Sequence, residues 1–170
     1  MLGGASFCYN RYMESTEGII ESLEALEIEA AAFAMSLTPK AAGATLVTLS
    51  GELGAGKTTF TQGVAKALGI TDHITSPTFV LEKRYAIPAG VSGFTKLVHI
   101  DAYRLEGKSL APLALPELLS EPATLILLEW PEMTAGALPP ADVGIALKVI
   151  ENEHRTLSYV YPEVPTPSHA

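Results

Sequence analysis

The chain has 170 residues, the size of one ordinary domain, and nearly half of them are apolar, so a single buried core is within reach. With 11 Lys plus Arg against 19 Asp plus Glu, the net charge is −8, which argues against a broad nucleic-acid surface, because that needs several cations on phosphates. The arginines are Arg11, Arg84, Arg104 and Arg155, and the lone cysteine, Cys8, excludes an intramolecular disulfide.

Taken in chain order, residues 1–15 show no clear period and read as a loosely ordered segment without the basic start and apolar stretch of a secretory signal. No apolar run approaches the roughly 20 residues of a membrane span, so the expected location is cytoplasmic. Residues 18–21 fit either a short strand or a helix start. Ser22 is a candidate N-cap for a helix carrying Leu26, Ala30, Phe33 and Leu37 at helical spacing, with Glu24, Glu27 and Glu29 toward its positive end and Pro39 just past its close. TLVTLS, residues 45–50, predicts a strand, followed by a glycine-punctuated loop and a helix over 57–68 that stops at Gly69.

Ser76-Pro77-Thr78 is a turn signal, and residues 79–85 predict a strand. A Pro- and Gly-bearing loop over 87–95 leads to a second strand, LVHID, ending at Asp101. A short helix is expected near 116–120, and TLILLE predicts a strand ending at Glu129. Residues 143–150 and 156–161 predict a closing hairpin, and 162–170 form a Pro-rich tail. Strands alternating with helices indicate an α/β fold, one domain over 16–161 with a central mixed sheet.

GELGAGKT, Gly51 to Thr58, satisfies G-x-x-x-x-G-K-[ST] at every constrained position. Glycines let backbone N–H groups approach phosphate oxygens, and the helix N-terminus behind the loop adds partial positive charge. The motif predicts phosphate contacts from Glu52, Leu53, Gly54, Ala55, Gly56, Lys57, Thr58 and Thr59. Lys57 supplies a cation to the outer phosphates of ATP, and Thr58 offers a hydroxyl to Mg2+. By chance the motif recurs roughly once in 200 chains of this length; a strand before it and a helix after it make coincidence rarer still. Asp101 and Glu129 each end an apolar strand, the placement expected of an acid at the sheet edge where phosphates bind. One would orient Mg2+ and the other could hold the attacking water; the strands alone do not say which. Ser76 and Thr78, read alone, make an ordinary turn or a hydroxyl pair that senses nucleotide. His99, inside an apolar strand, reads as a packed core histidine, and Trp130 as a core or interface aromatic.

Together, GELGAGKTTFTQG, TSPTFVLEKRY, LVHIDAYRL and ILLEWPE resemble the bacterial TsaE family, also called YjeE, over about residues 22–160. The resemblance implies a P-loop NTPase-like domain and a Mg-dependent ATPase needed for threonylcarbamoyladenosine at tRNA position 37. In that family the protein does not transfer the carbamoyl group; it joins the TsaB–TsaD complex and meets tRNA only through it. By motif, Lys57, Asp101 and Glu129 would be catalytic and Thr58, Asp101 and Glu129 would serve the metal. Ser76 and Thr78 would belong to a switch loop and Trp130 would sit beside the nucleotide. Tyr103 and Arg104 would serve the site or the partner surface. One departure is the segment SLAPLALPELL, where family members commonly carry a Leu-Gly step. The competing readings are a small-molecule P-loop kinase, disfavoured by so few arginines, and a non-hydrolysing scaffold. A GTPase lacks its N-K-x-D signature here.

Overall fold

The computed structural model describes residues 12–106 and 110–162, with side chains from 17 onward apart from that of Pro112. Among the described residues, seven strands form one sheet in the order β1-β7-β6-β2-β5-β4-β3. The strands are β1 (Tyr12–Ile20), β2 (Thr45–Ser50), β3 (Glu82–Ala86), β4 (Lys96–Asp101), β5 (Thr124–Glu129), β6 (Val143–Val149) and β7 (Arg155–Pro162). The central four, β6-β2-β5-β4, run parallel, and β3, β7 and β1 close the two sides antiparallel. The mixed α/β sheet expected from the sequence is therefore present.

Both faces of the centre are covered, which is why β5 is buried at all six positions and its sequence is a continuous apolar run rather than an alternation. On one face lie α1 (Leu23–Ser36) and α2 (Lys57–Ala67), sealing Leu26, Phe33, Phe60, Val64, Leu49, Leu125 and Leu127. On the other, α3 (Leu115–Ser120) and nearby turns bury Leu46, Val98, Ile100, Ile126 and Leu128. Ser22 caps α1 as expected, its hydroxyl accepting from Ala25 N at 3.0 Å. Helix α1 meets α2 at Gly63, where a Cβ would lie 2.7 Å from that of Ala30.

Several boundaries differ from expectation. Strand β1 begins at Tyr12, so two residues of the segment read as loose, Tyr12 and Ser15, pair with Pro162 and Val160 of β7 across a register shift. Strand β3 starts at Glu82 rather than Phe79. Residues 77–81 turn instead, with Val80 N and Leu81 N both donating to Pro77 O and Leu81 at a left-handed φ of 67°. Phe79 and Val80 are consequently exposed. In the departing segment Ala114 takes φ 43° at the start of α3, a conformation glycine adopts more easily. Cys8 and all of the tail after Pro162 lie outside the described residues. No described helix is long and apolar enough to cross a membrane.

Candidate phosphate-loop site

Because β2, β4 and β5 are parallel, their C-terminal ends share one sheet edge. Register places Asp101 beside Glu129 and Glu129 beside Leu49, the last residue but one of β2. The loop after β2 and both strand-end acids therefore converge, although they lie up to 78 residues apart. They border a cavity of about 410 Å³ whose lining includes Gly54, Lys57, Thr58, Ser76, Asp101 and Glu129.

The loop is shaped by its glycines. Gly56 takes φ 106°, a conformation that strains any other residue, and a Cβ there would press on Leu26 Cδ2 at 2.6 Å. Lys57 opens α2 yet is buried, and its Nζ donates to Gly51 O at 2.6 Å and Glu52 O at 2.9 Å. The same ammonium lies 3.6 Å from the Trp130 ring centroid, within cation–π range. Burial lowers the Lys57 pKa from the ordinary lysine value, and the charges of Glu129, Glu132, Asp101 and Glu52 restore only part of it. Trp130 itself is left-handed at φ 61°, ψ 52°. For a bulky residue that conformation stores about 1–3 kcal/mol. Trp130 N still donates to Leu49 O at 3.0 Å, which ties the strained residue to the sheet, and Tyr103 packs on its ring at 5.0 Å between centroids.

The two acids have different surroundings. Asp101 accepts three hydrogen bonds from the protein: Oδ2 from Ser76 Oγ at 2.7 Å and Thr78 Oγ1 at 2.5 Å, and Oδ1 from Tyr103 N at 2.9 Å. Glu129 receives the Thr58 hydroxyl, 3.1 Å from Oε1 and 3.2 Å from Oε2, and His99 Nε2 lies 2.7 Å from Oε1. The carboxylate that faces the N-terminus of α2 is thus Glu129, while Asp101 faces the 76–78 turn.

Among the expected contacts, Leu53, Gly54, Gly56, Lys57, Thr58, Thr59, Ser76, Thr78, Asp101, Glu129 and Trp130 all border the cavity. Glu52 and Ala55 are not among the cavity-lining residues. Glu52 Oε1 accepts from Val149 N at 3.3 Å, and Ala55 is fully buried with its N–H spent on Glu52 O. Three site neighbours escaped the sequence: Leu23, His99 and Arg155. His99 was legible in principle, since it stands two residues before Asp101 and so shares its face of β4. Arg155 had no signal: it starts β7, borders the cavity, and donates from Nε to Ala55 O at 3.0 Å across 100 residues of chain.

Chemically, a glycine cradle at a helix N-terminus with one buried ammonium suits a polyphosphate. A hydroxyl beside a carboxylate suits a hard divalent cation. No group of three or more His, Cys, Asp or Glu among the described residues could hold a metal unaided. Mg2+ does not require one, since one or two carboxylates plus substrate phosphates and water suffice.

Residues 21–157 match the model of the family described as threonylcarbamoyl adenosine biosynthesis protein TsaE. A Bacillus subtilis protein named tRNA threonylcarbamoyladenosine biosynthesis protein TsaE is 38% identical over 114 residues, 67% of this chain and 68% of the relative. The protein of the same name from Rickettsia bellii is 35% identical over 145 residues, 84% of this chain and 93% of its own. The crystal structure of Bacillus subtilis YdiB superposes with a TM-score of 0.70 at 28% identity, covering 88% of this chain and 87% of that one. With most of its length matched by the family model, and with the fold and relatives agreeing, this chain belongs to the TsaE family.

Proposed function

We propose that this protein binds ATP with Mg2+ and hydrolyses it in support of tRNA threonylcarbamoyladenosine formation, acting with the TsaB–TsaD complex and not as the carbamoyl transferase. The observation that carries the reading is the meeting of Lys57, Thr58, Asp101 and Glu129 at one parallel sheet edge. Loop N–H groups and the α2 N-terminus would hold the phosphates, and Lys57 would exchange its loop carbonyls for the outer phosphate oxygens. Thr58 and Glu129 would hold Mg2+, which when bound neutralises the charge developing on the transferred phosphoryl group. Asp101, whose oxygens already serve Ser76, Thr78 and Tyr103, would tether the switch turn to the catalytic edge. A turn held by hydrogen bonds to one carboxylate is an element that phosphate and metal could rearrange.

The arginines support an indirect route to tRNA. Arg84 pairs with Glu82 and Glu121, Arg104 stacks on Phe79, and Arg155 is engaged by backbone carbonyls, so these three form no basic patch. Phosphate release from ATP by the wild type and by Lys57→Ala, each with and without TsaB and TsaD, tests the reading. We expect activity in the wild type and near loss in the variant. Equal release by both would overturn it. Tight, salt-sensitive tRNA binding by the isolated chain would overturn the division of labour with the complex.

A further inference from the structure

His99 lies mid-strand in β4 between Val98 and Ile100 and is fully buried. Its Nε2 is 2.7 Å from Glu129 Oε1, while its Nδ1 is buried with no hydrogen-bond partner. An ionised carboxylate only accepts, so in this contact Nε2 is the donor and Oε1 the acceptor. An apolar residue would fill this position without orphaning a ring nitrogen, a cost of roughly 1–3 kcal/mol. The ring thus carries one buried nitrogen without a partner, and its single polar contact is with the site.

The register explains the reach. His99 is opposite Leu127 in the β4–β5 ladder, and Glu129 is the next residue of β5 on the same face, a diagonal neighbour. Glu129 Oε1 takes the short bond from His99, and Oε2 has only the longer contact with Thr58, at 3.2 Å. We propose that His99 is a positioning residue that pins Glu129 Oε1 so that Oε2 is presented beside the Thr58 hydroxyl to the divalent cation. This role rests on the reading of the site as one for a magnesium nucleotide. It is the arrangement in which an outer partner orients a metal-binding carboxylate.

The test uses Mn2+ in place of Mg2+, titrated into the full chain loaded with a non-hydrolysable ATP analogue and followed by electron paramagnetic resonance. Trp130 emission in the presence of EDTA measures metal-free nucleotide binding separately. We expect His99→Leu to bind the analogue without metal as the wild type does, but to lose about tenfold or more in Mn2+ affinity. His99→Gln, whose amide nitrogen can take the place of Nε2, should recover most of that loss. Wild-type Mn2+ affinity in His99→Leu, or a His99→Gln as weak as His99→Leu, would overturn the role. Should His99→Leu not fold, His99→Asn, too short to reach Glu129, is compared with His99→Gln. Weaker Mn2+ binding by the Asn variant alone supports the role and equal binding overturns it. A wild type that binds neither analogue nor Mn2+ overturns the reading of the site and this role with it, an outcome distinct from failure of His99 alone.

Discussion

Lys57 Nζ lies 3.6 Å from the centre of the Trp130 indole while donating to two carbonyls of its own loop. Trp130 is the only tryptophan in the chain, so its emission reports on this contact. If phosphates draw the ammonium away from the ring, ATP should change the Trp130 spectrum of the wild type. Lys57→Ala should start from an altered baseline and respond little. A wild-type spectrum that does not move at saturating ATP would show that Lys57 keeps its position.

Lys57 also makes stability depend on pH. Burial lowers its pKa in the folded protein below the unfolded lysine value of 10.5. Between the two values the unfolded chain binds more protons, so stability rises with pH there. The penalty is fully present below the folded pKa and is gone above the unfolded one. Lys57→Met should therefore melt higher than the wild type at about pH 7, with the gain shrinking as pH rises toward about 10.5. Thermal melts across that range check the trend; a gain that grows with pH would contradict it.

Asp101 is buried and depends on the 76–78 turn for its hydrogen bonds. Thr78→Val removes one hydroxyl donor while keeping the side-chain shape, and Ser76→Ala removes the other. Each should cost about 1–3 kcal/mol, the usual range for a hydrogen bond to a buried charge. Urea unfolding gives the number. Midpoints indistinguishable from the wild type in both variants would mean that the carboxylate finds other partners.

Gly63 sits where α2 touches α1. A Cβ there would lie 2.7 Å from Ala30 Cβ and 2.9 Å from Glu27 O, the latter a backbone atom that cannot swing aside. Gly63→Ala should raise intrinsic helix propensity yet destabilise the fold by about 1–3 kcal/mol through overpacking. A higher melting temperature for the variant would show that α1 can retreat at little cost.

The sequence alone was enough for the strand, glycine-punctuated loop and helix over residues 45–67, because strand, glycines, lysine and helix are contiguous and each has a local reason. It also marked Asp101 and Glu129, because an apolar run ending in an acid is a local pattern, and it placed most elements to within a residue or two. The start of β3 was misplaced because the Pro77 turn, set by hydrogen bonds to its carbonyl and a left-handed Leu81, overrode an apolar, β-prone stretch. Which acid meets Thr58 and which holds the 76–78 turn was decided only by tertiary structure. The register of β2 against β5 and the placement of α2 over one face bring together Thr58 and Glu129, 71 residues apart. The same is true of Arg155, whose guanidinium reaches Ala55 of the glycine-punctuated loop only because β7 pairs with β6 beside it. His99 lies between these cases. Its face could be read from alternation along β4, but its partner could not, since a diagonal contact exists only once two strands are in register.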